Sequence, residues 1–564
     1  MQLRFLKNLL LQPRLSRLHP APRQFFRSMS AKTLAVLDES ELQDGQMKEV
    51  AFGDGKVLLS RLGDKVHATS AFCTHYGAPL AKACFNVCTG DIEDAPAPMA
   101  LHSFETRIKD GKIEVTAITE NTLKQNMSRQ AKLLATGVNS VGKGIVIVGG
   151  GSGAFHAVES LREHGFPGPI TVLSKETYTP IDRTKLSKAL ITDPAKIEWR
   201  TAADLKIKYG TNLRLGVEVT SVDVEKKLVV LDEGKDTVAY DKLILAPGGT
   251  PRRLPVEGAN LDNVFTFRGV DDSKKVDAAA QEGKRMVVIG SSFISMEIVA
   301  ACASRKLASI DVIGMEEFPF EAVLGKEVGA GLKKFHEGKG VKFHMSSKVE
   351  KIVAKEDDPK IAAGVVVNGT TLPCDFVIMG VGVAPATQFL KGSGIDLEKD
   401  GSVKVDKFLR VRSGKDTKNI YAVGDIATYP QQQGDEDVRI EHWNVAGNQG
   451  RAVGLTISGK AQPFAKIPIF WSAQGQQLRY CGIGSKYEEV IIKGDPMEMK
   501  FIAYYVRSGK VVAVASMQND PVVSQASELL RLGLMPTPQE IRDGKDLLSV
   551  DISSASVKPI VAGE

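Results

Sequence analysis

Two buried-type strands, each running straight into a tight turn of small residues, constrain this chain more than anything else in it. The first is Ile145-Val146-Ile147-Val148, closed by Gly149-Gly150-Gly151-Ser152-Gly153-Ala154. The second is Met286-Val287-Val288-Ile289, closed by Gly290-Ser291-Ser292-Phe293-Ile294-Ser295. A helix-like stretch comes after each turn. Backbone in such a turn approaches a pyrophosphate closely, and the helix N-terminus faces it with partial positive charge. Two such units imply two dinucleotides in one chain.

At 564 residues the chain is too long for one core, so three or four domains are expected. Residues 33–118 read as short strands bounded by turns such as Gly53-Asp-Gly55 and Lys109-Asp-Gly111, a small all-β module. Residues 119–143 read as a linker. From Gly144 strands alternate with helical segments, which predicts parallel sheets covered on both faces. The alternation divides into a discontinuous domain, 144–265 with 389–460, and an inserted one, 266–388. Residues 461–564 return to strands with a helix over 524–533, a separate α+β domain. The fold class is therefore α/β, two Rossmann-like dinucleotide-binding domains between an all-β module and an α+β domain.

The net charge of +6 belongs to one end. Residues 1–31 carry Arg4, Lys7, Arg14, Arg17, Arg23 and Arg27 and no acid, so the remainder is neutral. A neutral body argues against nucleic acid as a partner. The tail interleaves its bases with leucines and phenylalanines, the pattern of a mitochondrial transit peptide; translation from Met29 would leave the product cytoplasmic. No apolar run is long enough for a transmembrane helix. Six cysteines make no disulfide framework, and Cys302, Cys374 and Cys481 sit alone among apolar neighbours, as inert core thiols do.

Four further motifs come after the first turn in order: the basic loop Pro180-Ile-Asp-Arg-Thr-Lys-Leu-Ser-Lys188, Leu245-Ala-Pro-Gly-Gly-Thr-Pro251, Gly380-Val-Gly-Val-Ala-Pro385 and Ile420-Tyr-Ala-Val-Gly-Asp425. In this order they resemble the two-dinucleotide flavoprotein reductases, a group that includes the ferredoxin reductases of oxygenase systems and the apoptosis-inducing factor group. The resemblance implies FAD on the first turn, at Gly149, Gly151, Ser152, Gly153 and Ala154, with Gly424-Asp425 on the ribityl chain. It implies Arg183 near the pyrophosphate, Lys188 paired with Glu297 beside the isoalloxazine ring as the catalytic pair, and Trp471 of Phe470-Trp471-Ser472 beside the flavin. Glu176, after the strand Ile170–Leu173, is the candidate for the ribose.

The second turn keeps only Gly290; Ser292 and Ser295 replace the other glycines, so helix and strand approach less closely. NADH or NADPH is the expected donor. Glu316 and Glu317 favour NADH through the 2′-hydroxyl, whereas Arg305 and Lys306 could accept a 2′-phosphate.

Phe72-Cys73-Thr74-His75-Tyr76-Gly77-Ala78-Pro79-Leu80 resembles the first ligand box of a Rieske module, which holds a [2Fe-2S] cluster by two cysteines and two histidines. Cys73 and His75 would be the metal ligands. The second Cys-x-x-His box is absent, and a segment resembling the one that normally lies just past such a box begins at Ala83. Three readings stand: a skipped exon at Lys82/Ala83, a degenerate module without a cluster, or an unusual site using Cys84, Cys88 or His102. The whole layout resembles the apoptosis-inducing-factor-like, Rieske-containing mitochondrial flavoproteins.

A disulfide reductase would need a cysteine pair near 180–190 or in the second dinucleotide domain, and neither has one. The expected activity is FAD-dependent oxidation of NAD(P)H with a one-electron acceptor: a ferredoxin, cytochrome, quinone or oxygen. The alternative is an NADH-responsive, cell-death-associated scaffold. A homodimer is compatible with either.

Overall fold

The computed structural model describes residues 31–551 apart from 76, 78–79, 81–84, 93–96, 130–132, 135–141 and 432–435. The basic tail lies outside the described residues, except Ala31. Strand period builds the N-terminal module. Along Lys112–Ala117 Ile113, Val115 and Ala117 point inward, and their neighbours do not. Six antiparallel strands close around Phe52, Val57 and Leu59 in the order Lys32–Asp38, Lys112–Ala117, Ser103–Lys109, Lys65–Ser70, Gly55–Leu62, Met47–Phe52.

Both apolar runs become the central strand of a five-stranded parallel sheet. Ile145–Val148 lies between Lys242–Leu245 and Ile170–Ser174, with Ile420–Ala422 and Thr211–Leu215 at the edges. Arg285–Ile289 lies between Phe376–Met379 and Ser309–Ile313, with Val264–Phe265 and Val341–His344 outside. Val264–Phe265 pairs into the second sheet, so the boundary drawn at 265 falls too late. The chain has already crossed, because Val264 is buried against Val377.

The two Gly-Pro turns have one structural job. Gly249–Pro251 and Val383–Pro385, each just past a sheet strand, pair antiparallel and tie the two nucleotide domains together where the chain passes between them. Past them Ile469–Ala473, Gln477–Gly482, Lys510–Met517, Lys500–Arg507 and Glu489–Asp495 form the antiparallel C-terminal sheet, covered by the helix Val522–Leu532.

The stretch expected to be a linker is folded at its start. Thr119–Thr122 and Lys124–Asn126 form single 3₁₀ turns; Thr122 bonds back to the Thr119 carbonyl, and Ser70 Oγ bonds the Asn121 carbonyl. These bonds satisfy backbone that a free linker would leave to water.

Candidate functional site

The first turn works because three positions lack a side chain for three different reasons. Gly149 has φ +112°, and a Cβ there would lie 2.6 Å from the Ala246 carbonyl carbon. Gly153 faces Val423, whose Cγ2 would be 2.9 Å from a Cβ. Gly151 has nothing within 4 Å: its missing side chain leaves open space instead. The helix Ser152–Glu163 then packs closely on Trp443–Ile457, where a Cβ on Gly450 would lie 3.1 Å from the Ala157 nitrogen.

The second turn keeps its geometry despite its serines. Gly290 has φ +105°, and a Cβ there would come within 2.9 Å of the Gly380 carbonyl carbon. Ser295 occupies the third small position, and the facing residue is Gly380, where a Cβ would be 3.1 Å from Ser295 Cβ. The close approach therefore survives because the glycine sits just past the neighbouring parallel strand, Phe376–Met379. Gly314 similarly makes room for the Ser291 hydroxyl.

One cavity of about 1250 Å³ joins both turns. Its wall includes Gly149–Gly153, Glu176, Arg183, Lys188, Glu297, Gly424, Asp425 and Trp471, with Ser292–Ser295 and Gly380 at the second turn. Asp425 is 7% exposed and accepts from Arg268 Nη2 at 2.7 Å. Gly424 donates its backbone N–H to Gln449 Oε1. Arg183 and Glu176, expected to face a pyrophosphate and a ribose, face each other: Arg183 Nη2 makes two 2.7 Å bonds to the Glu176 carboxylate, and Nη1 donates to the Arg268 carbonyl. Tyr178 Oη adds a third bond to Glu176. The carboxylate thus fixes the guanidinium in the cavity wall.

Lys188 Nζ lies 3.1 Å from the buried Glu297 carboxylate. Three more donors converge there: Ser187 Oγ at 2.5 Å, Ser472 Oγ at 2.7 Å and the Ala473 N–H at 3.3 Å. Ser472 is in the segment that also supplies Trp471. Arg268 and His442 have no motif that could have found them. His442 packs on Phe470, and burial pushes its imidazole down to about 4.

Arg305 and Lys306, weighed as a 2′-phosphate site, stand at the wrong end of the second sheet: the Lys306 carbonyl accepts from the Gly283 N–H and Arg305 donates to Asp277 Oδ1 at 2.7 Å, beside the start of Arg285–Ile289, whereas Gly290 lies past its end. Glu317, past Ile313, accepts from Lys326 at 2.6 Å. Among the described residues the thiols of Cys302, Cys374 and Cys481 are buried, which raises them to about 11, 12 and 12. That removes thiolate chemistry from all three.

The Rieske half-site faces the reductase. His75 Nε2 lies 3.1 Å from Asp182 Oδ2 in the basic loop, and both side chains are buried. The ring sits among Trp199, Trp443 and Trp471, with centroids 5.7, 6.5 and 5.5 Å away. Burial holds the His75 imidazole below its usual range although Asp182 opposes the shift. At Asp182 burial works the other way, but the bonds from His75 and Thr184 outweigh it and keep the carboxyl low. Cys88 lies 3.6 Å from His67, and the His102 ring stacks on Phe104; Cys84 lies outside the described residues. Among the described residues no three His, Cys, Asp or Glu side chains could hold a metal ion. Cys73 and His75 supply half of the required donors, so the described residues do not fit a complete [2Fe-2S] cluster.

Those residues do fit FAD: the open side of Gly151 and the enclosed Asp425 carboxylate offer a pyrophosphate approach and a hydroxyl acceptor in one cavity. The fold and site define a flavin- and nicotinamide-linked oxidoreductase of the ferredoxin-reductase type. Three family models match: pyridine nucleotide-disulphide oxidoreductase over residues 143–450, reductase C-terminal over 469–549, and Rieske [2Fe-2S] domain over 32–105. The chain is 35% identical over 543 residues to apoptosis-inducing factor 3 of Mus musculus, covering 93% of this chain and 88% of that one. It is 30% identical over 404 residues to rhodocoxin reductase of Rhodococcus erythropolis, covering 71% and 92%. The crystal structure of the ferredoxin reductase for the CYP199A2 system from Rhodopseudomonas palustris superimposes with a TM-score of 0.67 at 29% identity, covering 72% of this chain and 99% of that one. The chain belongs to the pyridine nucleotide-disulphide oxidoreductase family and carries a Rieske region before that domain and a reductase C-terminal region after it. Among the described residues no helix is long and apolar enough to cross a membrane.

Proposed function

We propose that the chain oxidises NADH and delivers the electrons singly to an iron–sulphur protein. The observation that carries this is the Lys188–Glu297 pair, set in the wall of one cavity that both glycine turns enter. FAD, when bound, accepts a hydride and releases electrons one at a time. The chain's own groups bind and orient it. The open backbone at Gly151 would admit the pyrophosphate, and Asp425 would accept from the ribityl hydroxyls. Lys188 brings a positive charge to the ring, and Glu297 fixes where that charge stands. The family resemblance supports a ferredoxin-like acceptor, since relatives include a ferredoxin reductase and rhodocoxin reductase. NADH is favoured because Arg305 and Lys306, the bases that could take a 2′-phosphate, lie beside the start of Arg285–Ile289, at the opposite end of the sheet from Gly290.

Stopped-flow reduction of the yellow holoprotein by NADH and by NADPH tests this. Rapid bleaching with NADH, and then turnover with a ferredoxin, is expected. Faster bleaching with NADPH would reverse the donor, and reduction over minutes with a persistent long-wavelength band would favour a redox-sensing scaffold. The acid-free tail supports delivery to mitochondria; diffuse signal from a reporter fused to residues 1–35 would contradict it.

A further inference from the structure

Glu297 is the end of a longer chain of buried donors. Ser472 has one hydroxyl proton, donated to Glu297 Oε1, and its oxygen accepts from Gln474 Nε2 at 2.9 Å. Gln474 Oε1 faces His336 Nε2 at 3.2 Å. Burial pushes His336 down to about 4, so the ring is neutral near pH 7 and carries the Nε2 proton this contact requires. The second amide proton of Gln474 points at the Phe293 carbonyl, 3.5 Å away, at the start of the helix after the second turn. His336 is 1%, Gln474 0% and Ser472 1% exposed.

The order of donors has one direction. His336 donates to Gln474, Gln474 to Ser472, and Ser472 to Glu297, so each bond polarises the next toward the carboxylate. The chain also joins three parts of the molecule. His336 and Glu297 come from the second nucleotide domain, Gln474 and Ser472 from the C-terminal sheet, and Lys188 and Ser187 from the basic loop of the first. A flipped Gln474 amide would set its oxygen against Ser472 and its NH₂ against the His336 N–H. Ser472 would then have to turn its proton away from Glu297. The amide orientation of one buried glutamine therefore decides how many donors the carboxylate receives.

We propose that Gln474, held by His336, is a positioning residue for hydride transfer: through Ser472 it sets the Glu297 carboxylate and hence the Lys188 ammonium beside the flavin. This rests on the function proposed above. It assigns a role to two residues, His336 and Gln474, that lie outside the cavity wall and carry no motif.

The test uses the full-length FAD-loaded chain and NADH. Gln474→Leu is expected to keep its flavin, to shift the flavin midpoint potential and to slow hydride transfer about tenfold, the worth of roughly one net hydrogen bond. His336→Leu should slow it more than His336→Gln, which keeps an N–H donor. In a Glu297→Gln background the Gln474→Leu change should add little, because its effect runs through that carboxylate. If Gln474→Leu loses flavin, Ser472→Ala carries the test with the same expectation. An unshifted potential and parent rate in these variants, or full additivity with Glu297→Gln, would overturn the proposal. Parent behaviour of Glu297→Gln alone would instead overturn the function on which it rests.

Discussion

Gly149 and Gly151 stand two residues apart in one turn, yet alanine at each should fail in a different way. Gly149 sits at φ +112°, and a Cβ would be 2.6 Å from the Ala246 carbonyl carbon and 3.0 Å from Pro247 Cα. Ordinary contact begins near 3.4 Å and the Ala246 carbonyl oxygen would be nearer still, so the turn and the neighbouring strand end must part by well over about 0.8 Å. Both sides are backbone, so no rotamer change relieves the clash. The strained φ alone costs about 1–3 kcal/mol. Gly149→Ala should therefore destabilise the protein even without FAD. Gly151 is at φ −89°, ψ −161°, which any residue adopts, with nothing within 4 Å. Alanine there costs the fold at most about 1 kcal/mol as a poorer N-cap. Its methyl stands instead where the pyrophosphate must approach, and overpacking of about 1–3 kcal/mol weakens FAD roughly 5- to 150-fold. Denaturant melts of the flavin-free chain, with FAD titration by quenching of flavin fluorescence, separate the two. Parent FAD affinity in Gly151→Ala, or a parent melt of flavin-free Gly149→Ala, would refute the division of labour.

Asp425→Ala should weaken FAD by about 1–3 kcal/mol through the lost ribityl acceptor; its ion pair adds little, since Arg268 is a third exposed and screened. Full flavin after prolonged dialysis would contradict the role. Glu297→Ala leaves the Lys188 ammonium without its carboxylate, so the flavin potential should move. Unchanged potential and rate in both the Glu297 and Lys188 single variants would place the pair elsewhere. The chain should purify with flavin and without a Rieske EPR signal, and a restored Cys-x-x-His segment after Lys82 should bring two irons per flavin. A stoichiometric cluster in the unaltered chain would show that Cys84, Cys88 or His102 contributes after all.

The features legible in the sequence were local. A four-residue apolar run before a small-residue turn has few alternatives, and Ile145–Val148 and Arg285–Ile289 take central places in their sheets. The C-terminal helix found at Val522–Leu532 lies within two residues of the expected span. The hidden features depend on partners far along the chain. The Glu176–Arg183 pair could not be foreseen, because a carboxylate seven residues before a guanidinium reads equally as two solvated charges. Gly380 compensates Ser295 across 85 residues, and only pairing of the strands brings them together. Asp182 meets His75 across 107 residues, and no periodicity in either segment announces it. Val264–Phe265 is two residues long, too short for any pattern to assign it to a sheet.

The surroundings of His75 have an optical consequence. The chain has three tryptophans, and all three rings lie within 6.5 Å of this one imidazole. Trp199 and Trp443 also touch each other, at 5.6 Å. Indole emission from this protein is therefore a signal from a single address, the seam between the N-terminal module and the reductase. Elsewhere in the chain tyrosine is the longest-wavelength intrinsic fluorophore. Light at the red edge of protein absorption interrogates that seam without a label, and a parting of the N-terminal module from the reductase would change the emission of all three rings.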